Sequence, residues 1–257
     1  MAAFFLLGGC VTPAGVPASV PDGAPTAGYL EAGTLRTLAD AAEPPSPFSA
    51  SDALPDARGT DRWWLAIAHA ELRPPEAAQH FDCALGTRLA ERPRPALTRI
   101  MNRLLVDADR LTRLMAATRT RPRPIRVIEG LEPCQRIDDA MRDSGSWPAG
   151  GAVVGAAYGE LFATLAPDRA GEVRRIGREI GLSRAVCRMN WTADVVDGAA
   201  AGRRLYAGAA ATADFAGDLE AARTELAAAR AEGLTHPGCA AERRALGQAG
   251  RGAASAP

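Results

Sequence analysis

The chain has 257 residues, and 30 basic side chains balance 30 acidic ones to a formal net charge of zero. That length supports one sizeable core, while the balanced charge offers no nucleic-acid face and no polybasic membrane patch. Aromatics are scarce and no long alternating apolar pattern occurs, which points to helices and away from sheet.

Residues 1–10 form an apolar run ending in Leu7-Gly8-Gly9-Cys10. This resembles the lipobox of bacterial lipoproteins, with Cys10 as the lipidation site; the run is too short to span a bilayer. The expectation is an exported, periplasmic chain that meets the membrane only through a lipid on Cys10. The alternative is an ordinary signal-peptide remnant. Residues 11–47 are rich in Pro, Ala, Gly and Ser and read as a tether, followed by an extended arm from Gly28 to Ala39 laid on the body. Residues 48–246 form the body, with order beginning near Ser49, and 247–257 read as a disordered tail.

Within the body, residues 60–72 read as a helix stopped by Pro74-Pro75, and 76–92 as a second one. The clearest helix spans 95–118, where Leu97, Ile100, Met101, Leu104, Leu105, Ala108, Leu111 and Met115 recur at threes and fours behind Pro95 in the first turn. Arg121-Pro122-Arg123-Pro124 must be extended. Residues 152–165 form a small-residue helix suited to close packing. Residues 168–180 form a polar helix with Asp168 as its cap. Residues 183–206 read as another helix, weakened by Gly198 and Gly202. Residues 213–232 are amphipathic, with Gly233 as the C-terminal cap.

Beyond Cys10, four cysteines remain: Cys83, Cys134, Cys187 and Cys239. An even count in an exported chain suggests two disulfides, and three pairings stay open. No metal site is expected, because the cysteines are dispersed along the chain. The three histidines are His69 and His80, read as structural residues of the early helices, and His236, read as a loop residue.

Several short segments carry a further signal. They are Phe81-Asp82-Cys83-Ala84-Leu85-Gly86, Arg119-Thr120-Arg121-Pro122, Gly145-Ser146-Trp147-Pro148, Gly181-Leu182-Ser183-Arg184 and Trp191-Thr192-Ala193-Asp194. In this order and spacing, from Gly28 to Glu242, the chain resembles the class A bacterial non-specific acid phosphatases. These belong to the wider group of type 2 phosphatidic acid phosphatases and vanadium haloperoxidases. The resemblance implies an all-α, single helical-bundle domain, no cofactor, and a phosphate monoester as ligand. It also implies a phosphohistidine mechanism, in which one histidine attacks phosphorus, a second protonates the leaving alcohol, and an aspartate orients the first. Members of the family are often oligomeric.

Carried onto this chain, the family's K-x6-R-P, P-S-G-H and S-R-x5-H-x3-D patterns match unevenly. The phosphate-binding positions become Arg121, Ala149, Gly150 and Arg184, and the lysine position is Leu114. Arg113 stands one residue away, about 100° around a helix, as a partial substitute. The general-acid position is Gly151, the nucleophile position is Asn190, and the orienting aspartate is Asp194. A family glycine is replaced by Arg188. Arg121 and Arg184 are expected to converge on one pocket, with Asp194 turned to Arg184, Arg188 or Asn190, and Asp143 as a second internal acid. Trp147 and Trp191 are expected to be wall or core residues, and Cys187 to lie in a disulfide. The leading reading is a non-catalytic, exported homologue that binds phosphoesters or other anions. The alternatives are a weak phosphate-monoester hydrolase and a structural envelope lipoprotein.

Overall fold

A computed structural model describes residues 26–45 and 54–252. The lipobox segment with Cys10, the tether before residue 26 and the expected onset of order near Ser49 lie outside the described residues. Eleven α-helices and no strands occur among the described residues, as the all-α reading requires. No helix among them is long and apolar enough to cross a membrane.

The arm begins with Gly28-Tyr29-Leu30 and continues as α1, Ala32–Asp40, which corrects the expectation of an extended arm to Ala39. Buried Leu35 and Ala39 supply an apolar face, so this segment forms a helix once it lies on the body. The Asp107 carboxylate accepts from the Tyr29 and Leu30 backbone N–H groups at 2.7 and 3.2 Å. A Cβ at Gly28 would sit 1.7 Å from Asp107 Oδ1, so only glycine lets the backbone come this close. The Tyr29 hydroxyl donates to Asp218 at 2.7 Å, and Arg103 stacks 3.9 Å from its ring centroid.

Helix α2 spans Asp61–Ala68, shorter than the expected 60–72, with Thr60 capping the Trp63 N–H. Residues 76–92 do not form one helix. A 3₁₀ turn at Glu76–Phe81 leads into α3, Asp82–Leu85, which Gly86 ends at φ +70°; a second 3₁₀ turn follows at Leu89–Glu91. Asp82 anchors this bend by accepting from the Thr87 hydroxyl and the Leu89 N–H at 2.9 and 2.8 Å.

Helix α4, Pro95–Thr118, follows the sequence reading, with the three-and-four series buried and Pro95 in the first turn. Two short helices, α5 at Pro124–Val127 and α6 at Asp139–Asp143, lie in a stretch where none was expected. The central element is α7, Gly150–Leu165, buried along most of its length. It packs against α8, Ala170–Val186, through glycines: a Cβ at Gly155 would lie 2.6 Å from the Gly177 carbonyl oxygen. Asp168 sits in a 3₁₀ turn before α8, and the helix has no side-chain cap, so the capping role assigned to Asp168 is not fulfilled. Asp168 instead pairs with Arg230.

Helix α8 runs through Ser183 and Arg184 to Val186 and stops; α9 begins only at Thr192 and ends at Ala210. The expected continuous helix over 183–206 is therefore broken, and Arg188, at φ +62°, makes the turn. Helix α10 is Ala213–Ala231, followed by Gly233 at φ +64°, the left-handed residue foreseen as its stop. Helix α11, Cys239–Gly252, crosses the boundary drawn at 247. The pairings left open are Cys83–Cys239 and Cys134–Cys187.

Candidate anion site at the head of α7

Backbone and side-chain bonds bring the three motif segments together. The Ser146 N–H donates to the Arg121 carbonyl at 2.7 Å, and Pro122 and Gly145 form an isolated antiparallel bridge. The Ala149 N–H donates to the Asp194 carbonyl at 3.1 Å. The Asn190 amide nitrogen donates to the Ser146 carbonyl at 2.6 Å, and the Trp191 N–H donates to Ser146 Oγ at 3.2 Å. Ala149, Asn190, Asp194 and Arg121 are all buried. Trp147 and Trp191 are both buried, Trp147 within the main core, and their ring N–H groups donate to Asp197 and to the Pro122 carbonyl at 2.9 and 2.8 Å.

The charges are distributed differently from the expectation. Asp194 lies 3.4 Å from Arg121, a partner that was not among the three expected for it. Arg121 and Arg184 therefore do not share one pocket as two free cations, because the buried acid is placed against Arg121. Arg188 points elsewhere, 3.7 Å from Asp56 and over the Trp63 ring. Asp143 pairs with Arg126 at 3.3 Å. Arg113 is an exposed partner of Asp109 at 2.7 Å and does not replace the missing lysine. Leu114 packs against the main core.

Arg184 lies over the first turn of α7. A Cβ at Gly151 would lie 2.7 Å from Arg184 Cδ and 3.0 Å from Cγ, so the arginine chain runs across the bare first turn of α7. Its guanidinium donates to Gln135 Oε1 at 2.8 Å. The neighbouring cation is Arg123, which donates to the Met189 and Met141 carbonyls at 2.7 and 3.1 Å and to Ser144 Oγ. Among the described residues no salt bridge engages Arg184, while the buried Asp194 carboxylate acts on the Arg123 charge through space. Burial, and then the Arg123 charge, lower the Arg184 pKa to about 10, so the group stays protonated near neutrality.

Sequence reasoning missed Arg123, Gln135 and Thr112. The Thr112 hydroxyl is buried without a partner, and the Thr112 methyl would lie 3.4 Å from a Cβ at Gly150. Thr112 stands on α4 two positions before the lysine position, so a scan of that motif's neighbours would have found it. Helix α7 begins with no side-chain cap and no acid in its first turn. A positive helix end and the buried Arg184 guanidinium, which no ion pair engages among the described residues, suit an anion. Positions 151 and 190 present a hydrogen and a carboxamide.

No family model matches the chain. It is 31% identical over 181 residues to an acid phosphatase of Zymomonas mobilis subsp. mobilis, covering 69% of this chain and 67% of that protein. It is 29% identical over 176 residues to a non-specific acid phosphatase of Providencia stuartii, covering 66% and 69%. A non-specific acid phosphatase of Salmonella typhimurium is 27% identical over 173 residues, with 66% and 68% covered. Identity of this extent, carried on an all-α body that gathers the three motif segments at the head of one helix, means that the chain belongs to the class A bacterial acid phosphatase family.

Proposed function

We propose that this protein is an exported, catalytically silent acid phosphatase homologue that binds phosphate or a phosphate monoester without cleaving it. One observation carries the reading: Arg184 lies across Gly151, where the family's general acid would stand, and its buried guanidinium has no ion pair among the described residues. Glycine has no proton to give. The Asn190 amide nitrogen has a delocalised lone pair and is bonded to the Ser146 carbonyl, so it cannot accept a phosphoryl group as imidazole does. Losing one member of a catalytic set can cost on the order of 10⁶ in turnover, and here two positions have changed. The two disulfides favour an oxidising compartment, in keeping with export and with lipidation at Cys10.

The test has two arms. With p-nitrophenyl phosphate at acid pH, turnover is expected to equal that of buffer. Inorganic phosphate at about 100 times its Kd is expected to stabilise the fold by about 2.7 kcal/mol, seen as a higher melting temperature. Arg184→Ala is expected to lose that rise. Turnover abolished by Arg184→Ala would identify a weak hydrolase. Melting indifferent to phosphate would leave only the structural envelope reading.

A further inference from the structure

All three histidines of the chain line one cavity of about 260 Å³ between α2 and α11, and none of the motif residues lines it. The hydrogen bonds assign the two inner rings. The Ser183 hydroxyl donates its one proton to the Glu179 carbonyl at 2.8 Å. It therefore accepts from Arg62 at 2.9 Å and from His69 Nδ1 at 2.8 Å, which places the His69 proton on Nδ1. His69 Nε2 is then a bare acceptor, buried and without a partner. Burial first, then His80 and Arg62, hold the ring's pKa well below the usual histidine value, so it stays neutral. His80 donates from Nε2 to the Glu71 carbonyl at 2.8 Å, which leaves its own lone pair on Nδ1. The two ring centroids are 5.0 Å apart.

A buried acceptor left unsatisfied carries an uncompensated desolvation cost, and a ligand that brings a donor recovers it. The rest of the wall indicates which donor. Glu242 adds a carboxyl that no ion pair engages among the described residues, and Trp64 adds an indole that is 62% exposed. Acceptors, a carboxyl and an aromatic face together suit a cation, and the small apolar side chains beside them suit a hydrocarbon body. Imidazole lone pairs also suit a transition metal. The metal reading fails on convergence: among the described residues the only three ligand atoms within 4.8 Å of one another belong to Cys83, His236 and Cys239, and both cysteines are consumed in a disulfide.

We propose that this cavity is a second ligand site, independent of the anion site, which takes a small primary ammonium ion with an aromatic body. The ammonium donates to His69 Nε2 and Glu242, and the body lies against Trp64. The cavity is smaller than sites for drug-sized ligands, which start at about 300 Å³, so the ligand is a small one.

The experiment titrates the full chain with 2-phenylethylammonium by calorimetry, and separately with 3-phenylpropanoate, an anion of similar shape. Saturable binding of the ammonium alone is expected. Trp64→Ala and Glu242→Gln should each weaken it by about tenfold. Trp64 is exposed, so its variant keeps the fold. In long-range proton–nitrogen spectra the His69 Nε2 resonance should move as it gains a donor. Absence of saturation by roughly 10 mM, equal binding of the carboxylate, or indifference to both substitutions would overturn the proposal. So would Zn²⁺ binding that excludes the amine from the cavity.

Discussion

The course of Arg184 depends on the bare position at Gly151. With no Cβ at 151, the aliphatic part of Arg184 fills the space above the first turn of α7. Restoring the histidine is therefore not a simple reversal. Gly151→His must displace Arg184 from Gln135, so the variant Gly151→His/Asn190→His is expected to show no p-nitrophenyl phosphate turnover and a smaller phosphate-induced rise in melting temperature. Turnover would mean that Arg184 swings clear at little cost. Asp82 permits a separate prediction. Burial raises its pKa to about 6, against the weaker opposing effect of the Leu89 and Thr87 hydrogen bonds. A carboxyl with a raised folded pKa contributes stability below its unfolded value and loses it as pH rises through the folded value. Between about pH 4 and 6 the wild type should thus lose about 3 kcal/mol that Asp82→Asn does not lose, measured by denaturant unfolding of both chains across that range. The asparagine keeps an oxygen for Thr87 and Leu89.

At the scale of elements, α4 was legible because its apolar positions repeat over six turns and a proline fixes its start. The breaks in residues 76–92 and 183–206 were not. Both stretches have helical spacing on either side of a residue whose backbone turns left-handed, Gly86 and Arg188, and periodicity does not register a single φ. The glycine at 86 was a visible warning; the arginine at 188 was visible only through the family, which places glycine there. The site divides similarly. Motif spacing identified Arg121, Arg184 and Asp194, but the pairing of Asp194 with Arg121 depends on distances between segments that no local pattern encodes. The left-handed arginine is also testable. A non-glycine residue there costs about 1–2 kcal/mol. In exchange, Arg188 gains a long ion pair to Asp56, which is 95% exposed, and such pairs contribute little. Arg188→Gly is therefore expected to melt at or above the wild-type temperature. A clear drop would show that the contact with Trp63 outweighs the strain.

Across the whole molecule, the two cystines act over different ranges. Cys83–Cys239 joins residues 156 apart and ties α11 to the early bend, whereas Cys134–Cys187 closes a separation of 53. Loop entropy favours the longer closure by about 1 kcal/mol. Cys83→Ser/Cys239→Ser should accordingly lower the melting temperature more than Cys134→Ser/Cys187→Ser. The reverse order would mean that packing around Met189 and Trp63, where the shorter cystine is buried, governs stability instead.

The shorter cystine has a consequence of another kind. Gln135 follows Cys134 directly, and its side chain holds the Arg184 guanidinium. Opening that bond would untie the loop from the end of α8 while leaving the helices in place. Under the proposed function, a folded molecule would then hold phosphate more weakly, so that thiol balance in its surroundings would be read out as ligand occupancy before any unfolding began.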